Sequence, residues 1–184
     1  MRKIKLAMYV SIDGVVESPA WTGPFWSEDL AKLQMDYLFA SDALLLGRVT
    51  YEGFAAAWPK MTETGDFGVK MNTMPKFVAS RTLDQGEWNA MILKGDLATE
   101  VATLRDQPGA DLLIYGSGDL VDELTRLGLI DEYRLMVHPV IVGSGKRFLD
   151  QQQPTTKLLL VDSIITSTGV AVLTYTRAAE DTPT

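Results

Sequence analysis

The sequence predicts an α/β fold in three layers, with a mostly parallel central sheet and an antiparallel hairpin at its C-terminal end. Apolar segments of strand length alternate with segments whose apolar residues recur at helical spacing, which is typical of a parallel sheet covered on both faces. The last such segment, 157–177, predicts two strands joined by a turn near Ser167 to Gly169. Because no repeat, linker or low-complexity stretch interrupts the chain, we predict one domain over residues 1–177 and a disordered tail at 178–184.

The composition excludes several classes of function. With 46% hydrophobic and 22% charged residues, the 184-residue chain can bury a full core. Its net charge of -7 argues against nucleic acid or an anionic membrane as a partner. The chain has no cysteine and one histidine, which excludes disulfides and zinc–thiolate or multi-histidine sites, and we predict no metal.

No segment predicts a membrane span or a secretion signal. The longest apolar runs fall short of the ~20 residues that a membrane helix needs. The N-terminal stretch "MRKIKLAMYVSIDG" is basic and then apolar, but its short alternating pattern predicts a first core strand. Together with the absence of cysteine, these features predict a cytoplasmic protein.

The elements follow in order along the chain. Ser27 is predicted to cap a helix with an apolar stripe, a short helix with Thr50 as its cap follows the second strand, and residues 59–75 are predicted to be rich in loops. The predicted strands cover 4–10, 43–47, 76–80, 88–93, 111–116 and 132–142, followed by the hairpin, and the main predicted helices cover 28–40, 96–105 and 119–129.

The ends of the strands carry most of the polar chemistry, and ligands of such folds bind outside the carboxyl ends of the strands. The fifth predicted strand runs through Gly116, Ser117 and Gly118 into a helix, so that backbone N–H groups are free to bind an anion such as a pyrophosphate. The dinucleotide motif G-x-G-x-x-G is incomplete, since Val121 stands at its third position. The glycines are equally consistent with a tight turn, and Asp119 already complements the helix dipole.

Two arginines follow successive strands. Arg48 follows the second predicted strand and Arg81 the third, where Ser80 and Thr82 add hydroxyl groups suited to a phosphate monoester such as that of NADP. For either arginine alone, a surface salt bridge in an acidic protein is the simpler interpretation. Two of them beside a glycine turn favour a phosphorylated dinucleotide.

Five segments occur in the order found in one known family: "SIDGVV", "LLLGRVTYEGF", "KFVASRTL", "LLIYGSGDLVDELTRLGLIDEY" and "HPVIVGSGKRF". On these motifs the chain resembles the dihydrofolate reductase-like family, in the branch that contains the reductase domain of riboflavin biosynthesis. The resemblance runs from about residue 2 to residue 176. It is specific for the fold and the branch, and less so for the substrate.

The resemblance implies an NADPH-binding fold and assigns roles to the strand-end residues. By position, the expected cofactor-binding residues are Gly47, Arg48 and Thr50 as a first phosphate clamp, Ser80, Arg81 and Thr82 as the 2′-phosphate pocket, and Gly116, Ser117, Gly118 and Leu120 as the pyrophosphate turn. The first loop then resembles one that covers the nicotinamide.

Candidate catalytic and substrate-binding residues come from two loops. Asp13 either orients the substrate and relays a proton or forms a turn with its own backbone. Trp21, with Phe25 and Trp26, either stacks on a flat substrate or packs the loop. Gly143 belongs to a second Gly-Ser-Gly, followed by Lys146 and Arg147, that either binds an anionic substrate group or forms a solvated loop, and His138 is interpreted as structural.

These observations lead to one main hypothesis. We expect an NADPH-dependent reductase of a pterin- or pyrimidine-like heterocycle, similar to 5-amino-6-(5-phosphoribosylamino)uracil reductase, with Asp13 or water as the proton source. The alternative is a nucleotide-binding or regulatory protein that keeps the fold without turnover. An apolar terminal hairpin at a sheet edge, and the resemblance itself, also predict a homodimer.

Overall fold

The computed structural model describes residues 1–178 and contains one eight-stranded sheet in the order β4-β3-β2-β5-β1-β6-β8-β7. The first six strands are parallel, whereas β8 runs antiparallel to β6 and β7 antiparallel to β8. This confirms the predicted α/β class, while residues 179–184 of the predicted tail lie outside the described part. The strands are β1 (Ile4–Ser11), β2 (Ser41–Gly47), β3 (Lys76–Ala79), β4 (Ala90–Leu93), β5 (Asp111–Tyr115), β6 (Glu132–His138), β7 (Leu158–Ile165) and β8 (Ala171–Arg177).

Helices cover both faces of the sheet because strand side chains alternate between two apolar cores. In β1, for example, Leu6 and Met8 point into one core and Ala7 into the other. Helices α4 and α5 close the first core, and α1, α2 and α3 close the second. The α-helices are α1 (Glu28–Phe39), α2 (Arg48–Ala57), α3 (Gly65–Thr73), α4 (Leu97–Asp106) and α5 (Gly118–Arg126), with 3₁₀ turns at Pro19–Phe25 and Trp58–Lys60.

Helix α3 lies in the region that the sequence predicts to be rich in loops. Two glycines, Gly65 and Gly68, lower its helix propensity, so the local sequence does not predict a helix. Gly68 is required locally, because a Cβ there would lie 1.7 Å from Oγ1 of Thr64, the N-cap residue. Met71 is buried in the second core, so that packing stabilises the helix where propensity does not.

The N-cap of helix α2 lies three residues earlier than the predicted cap, Thr50. This N-cap is Gly47, so Arg48 is the first helical residue and Thr50 lies in the first turn instead of capping it. The predicted clamp residues are therefore presented by a helix N-terminus, where backbone N–H groups are free and the dipole favours an anion.

Two strands are shorter than predicted for backbone reasons. Strand β6 ends at His138 because Pro139 has no N–H to continue the ladder. Strand β4 begins at Ala90 because Trp88 and Asn89 adopt left-handed backbone angles, with φ of 53° and 57°.

The edge strand β7 is exposed along its whole length. On its inner side it pairs with β8, and its outer edge ends the sheet. The exposed apolar side chains of this strand are Leu158, Leu159, Leu160, Val161, Ile164 and Ile165. Within residues 1–178, no helix is long and apolar enough to cross a membrane.

Candidate active site

A cleft of about 1350 Å³ opens at the carboxyl ends of the parallel strands. Ligand sites in proteins commonly occupy about 300–1000 Å³, so this cleft has room for a dinucleotide and a small ring together. All ten residues predicted to bind a cofactor line it: Gly47, Arg48, Thr50, Ser80, Arg81, Thr82, Gly116, Ser117, Gly118 and Leu120. The structure thus brings three strand ends to one surface, and their role as cofactor ligands stays a prediction.

Two of these strand ends are joined by hydrogen bonds. The backbone N–H of Gly47 donates to Ser117 Oγ at 3.0 Å, and the N–H of Ser117 donates to Thr50 Oγ1 at 3.0 Å. Gly116 and Ser117 both have positive φ, at 58° and 66°, which turns the chain sharply into α5. A serine tolerates this conformation here because its hydroxyl is anchored to α2.

The two arginines differ in their pairing. Arg48 Nη1 lies 2.9 Å from Glu52 Oε2 in an exposed i,i+4 pair, which is worth about 0.3–0.5 kcal/mol and leaves the guanidinium available to a stronger anion. Arg81 is exposed and has no acceptor or ionic partner among the described residues. Beside it, Ser80 Oγ accepts N–H bonds from Thr82 and Leu83 at 3.2 and 3.0 Å. Ser80 therefore shapes the turn that presents Arg81.

An acidic residue lies where the pyrophosphate is expected. Asp119 stands in the first turn of α5 and lines the cleft, and Lys146 Nζ is hydrogen-bonded to its carboxylate. A Cβ on Gly118 would lie 3.1 Å from Lys146 Cε, so the glycine lets the lysine side chain cross the helix start. The ammonium group offsets the carboxylate and leaves the helix terminus open to an anion.

Asp13 lies outside the cleft lining. Its Oδ1 accepts hydrogen bonds from Ser11 Oγ at 2.7 Å and from the N–H of Val142 at 3.0 Å, and its Oδ2 accepts from the N–H of Gly143 at 2.8 Å. The bond from Ser11, then those from the two amides, lower the pKa of Asp13 to about 2. The carboxylate thus joins the first loop to the loop after β6 and holds no proton at neutral pH.

Trp21 and Gly143, the predicted substrate-binding residues, also lie outside the cleft lining. Trp21 packs edge-on against His138 with ring centroids 5.4 Å apart, and Phe25 does the same at 5.8 Å. His138 is buried, its Nδ1 bonds Met136 O at 2.8 Å, and burial lowers its pKa, consistent with its structural interpretation. Of the three loop aromatics, only Trp26 lines the cleft.

One part of the cleft is neutral and largely aromatic. This aromatic lobe lies on the sheet face covered by α1 to α3 and is lined by Tyr9, Gln34, Phe54, Trp58, Tyr115 and Met136. Sequence reasoning missed these residues. Tyr9 and Tyr115 stand near the carboxyl ends of two strands, where the rule that identified the arginines applies, and Gln34 interrupts the apolar stripe of α1 between Leu30 and Leu38.

The polar atoms of the aromatic lobe are incompletely bonded. Gln34 Nε2 donates to Tyr9 Oη at 2.6 Å, while Gln34 Oε1 and Tyr115 Oη have no partner among the described residues. Burial raises the pKa of both tyrosines, which keeps their hydroxyls protonated. Within residues 1–178, no three His, Cys, Asp or Glu side chains are grouped so that they could hold a metal ion.

Comparison of the sequence with known proteins identifies relatives of this chain. The family model of the RibD C-terminal domain matches residues 2–172. The uncharacterised protein YyaP of Bacillus subtilis (strain 168) is 28% identical over 177 residues, covering 95% of this chain and 94% of YyaP.

Two solved structures share the fold. A protein of Shewanella sp. PV-4 named for riboflavin biosynthesis superposes with a TM-score of 0.78 at 20% identity, over 97% of this chain and 100% of that one. A diaminohydroxyphosphoribosylaminopyrimidine deaminase/5-amino-6-(5-phosphoribosylamino)uracil reductase of Thermotoga maritima superposes with a TM-score of 0.69 at 13% identity, over 96% of this chain and 57% of that one. At these identities the likeness establishes the fold alone.

Proposed function

Because the chain belongs to the RibD C-terminal domain family, we propose that it is an NADPH-dependent reductase of a small pterin- or pyrimidine-like heterocycle. The family includes pyrimidine reductases that use NAD(P)H. The observation that carries the proposal is the convergence of ten residues from three strand ends on one cleft. The substrate named for the Thermotoga maritima relative is one member of the proposed class.

The cleft residues suit a phosphorylated dinucleotide. The free N–H groups at the start of α5 face the cleft beside Gly116, and the start of α2 adds Arg48. Arg81, unpaired and presented by the Ser80 turn, suits the additional phosphate that distinguishes NADPH from NADH. When bound, the cofactor supplies the hydride, and the protein orients and shields the reacting atoms.

We propose that the proton comes from a group other than Asp13. With a pKa of about 2, its carboxylate is ionised at neutral pH, and it lies outside the cleft lining. We therefore propose that water or a hydroxyl group of the aromatic lobe delivers the proton that accompanies hydride transfer to a C=N or C=O group.

The second candidate is a nucleotide-binding protein without turnover on the same fold. It is favoured by the composition of the aromatic lobe, since none of its six residues is acidic or a histidine, the commonest general acids. Both candidates predict cofactor binding, and only the first predicts NADPH oxidation.

Titration of tryptophan fluorescence with NADPH and NADH tests the proposal. We expect tighter binding of NADPH, and we expect Arg81→Ala to reduce that preference by about 10- to 100-fold, which corresponds to loss of a charge-assisted contact to phosphate. Lys32→Ala is the matched control, because it removes an equal charge from the exposed face of α1. NADPH oxidation with pterins, pyrimidinones and ribosylaminouracils then separates the two candidates.

Three results would count against the proposal. If neither NADPH nor NADH binds, both candidate functions would be refuted. An Arg81→Ala protein that keeps its preference for NADPH would refute the phosphate assignment. If NADPH binds but no compound of the panel causes its oxidation, the second candidate would be favoured.

A further inference from the structure

Gln34 has an unusual environment for a glutamine in a helix. It is 5% exposed, it lines the cleft from α1, and its Oε1 accepts no hydrogen bond within residues 1–178. A buried carbonyl oxygen without a partner costs about 1–3 kcal/mol, so this side chain is stabilised if a ligand supplies a donor.

Tyr9, the hydrogen-bond partner of Gln34, adds a second polar group to this site. Because Gln34 Nε2 donates to Tyr9 Oη at 2.6 Å, the lone pairs of the tyrosine are engaged while its own O–H has no acceptor among the described residues. The pair, joined by this bond, therefore offers a ligand one acceptor, Gln34 Oε1, and one donor, the hydroxyl of Tyr9. The complementary ligand edge consists of an N–H donor next to a C=O acceptor, which is the arrangement in a lactam.

The surroundings of this edge restrict the rest of the ligand. Phe54, Trp58 and Met136 give the aromatic lobe walls suited to a flat ring. Arg134, on the same strand β6 as Met136, is close enough that its charge acts on Tyr115, where it opposes the effect of burial on the pKa. This positive charge disfavours a cationic ring, and a deprotonated lactam would place a nitrogen lone pair against Gln34 Oε1, so an uncharged ring is favoured.

We propose that Gln34 and Tyr9 determine substrate specificity by hydrogen-bonding the lactam edge of an uncharged planar heterocycle held in the aromatic lobe. This deepens the proposed reductase function and rests on it for the identification of the ligand as a substrate. Gln34 Oε1 accepts from the ring N–H, and the Tyr9 hydroxyl donates to the adjacent ring carbonyl. Neither contact requires proton transfer.

A pair of probes isolates the contact to Gln34. Lumazine carries lactam N–H groups, and 1,3-dimethyllumazine keeps the same ring and carbonyls but lacks these N–H groups. In calorimetric titrations with NADP⁺ present, we expect the wild-type protein to bind lumazine about tenfold more tightly. In Gln34→Leu this ratio is expected to fall to about one, since the acceptor is gone.

Two further variants complete the design. Gln107→Leu makes the same change on an exposed residue outside the cleft and should keep the wild-type ratio. Tyr9→Phe should weaken both probes by a similar factor, because both retain their carbonyls. A purely steric penalty on the methyl groups would persist in Gln34→Leu, because leucine is of similar size.

Each outcome decides the inference. An equal ratio in the wild type and Gln34→Leu, tighter binding of the methylated probe, or no binding of either probe overturns it. If lumazine binds with the expected ratio but NADP⁺ does not bind, the specificity assignment stands and the reductase function fails. If NADP⁺ binds and the lumazine preference is absent, the reductase function survives without this assignment.

Discussion

Lys76 Nζ lies 3.8 Å from the centroid of the Trp88 ring, inside the second core. Lys76 is 0% exposed and its ammonium group has no hydrogen-bond acceptor among the described residues. The ring face offers a cation–π contact, which replaces only part of the lost hydration. Burial accordingly lowers the pKa of Lys76 from 10.5 to about 8.

This shift makes the stability of the protein depend on pH in the alkaline range. An unfolded lysine keeps its proton up to about pH 10.5, whereas Lys76 in the folded state loses it near pH 8. Between these values the unfolded state binds more protons, so raising the pH stabilises the folded state, by about 3 kcal/mol at most. Urea unfolding at a series of pH values from 7 to 10.5 measures the effect.

Lys76→Met should remove that dependence and stabilise the protein at pH 7, because methionine fills a similar space without a charge. Lys32→Met, on an exposed and paired lysine of α1, should leave the pH dependence unchanged. If the wild type and Lys76→Met show parallel stability profiles from pH 7 to 10.5, the buried lysine is not the titrating group.

Lys146 should affect both nucleotides, in contrast to Arg81. Without the ammonium group of Lys146, the negative charge of Asp119 would not be neutralised beside the expected pyrophosphate site at the start of α5. Since the pyrophosphate is common to NADPH and NADH, Lys146→Ala should weaken both by a similar factor of about ten. The fluorescence titration used for Arg81 measures both constants.

The double variant Lys146→Ala/Asp119→Asn is the control for this argument. It removes both charges, so binding should recover most of the loss seen with Lys146→Ala alone. A change confined to NADPH would instead assign Lys146 to the 2′-phosphate, and no change in either constant would place the pyrophosphate away from α5.

The strand-end residues could be predicted from the sequence because parallel strands deliver their carboxyl ends to one edge of the sheet. Arg48, Arg81 and Gly116 each follow a recognisable apolar strand, so their convergence needed only the correct fold class. Which of the two arginines forms an ion pair could not be predicted, since the bond between Arg48 and Glu52 depends on where α2 begins.

The aromatic lobe and α3 could not be predicted from the sequence, for different reasons. Gln34 and Tyr9 lie within regular elements, where a polar residue is ordinarily interpreted as a surface position, and only the packing of α1 on the sheet reveals their bond. Helix α3 is stabilised by burial of Met71, a tertiary effect that local propensity opposes. Asp13 lies in a turn, one of the two roles considered for it, but the amide partners of its carboxylate are about 130 residues away in sequence and could not be predicted.

Asp13 should contribute to stability more than to the chemistry. Its lowered pKa means that its contribution is complete above the ordinary carboxyl pKa of 3.8 and is lost as the pH falls towards about 2. Asp13→Asn should therefore be less stable than the wild type at pH 5 to 7, with the difference shrinking below pH 4. Acid unfolding followed by circular dichroism measures this difference.

Asp66→Asn serves as the comparison, because Asp66 is exposed in the first turn of α3 and makes no side-chain hydrogen bond to the described residues. Its stability should follow that of the wild type through the acid range. If Asp13→Asn abolishes NADPH oxidation while leaving acid stability unchanged, the carboxylate acts on the substrate, and the structural assignment fails.

Strand β7 gives the structural argument for self-association. An exposed outer edge with six exposed apolar side chains is a template for pairing, and Asp162 is the only charged residue within the strand. We propose that β7 packs against β7 of a second copy about a two-fold axis. Such an interface is self-complementary, and its apolar contacts oppose the repulsion between two chains of net charge -7.

Sedimentation or light scattering of the whole protein tests this arrangement. We expect a dimer that dissociates at least tenfold more readily in Leu159→Glu, because a carboxylate would be buried without a partner at the interface. Val69→Glu makes the same kind of change on an exposed aliphatic residue of α3 and should leave the dimer intact. A monomeric wild type, or equal dissociation of the two variants, would show that another surface, or none, mediates association.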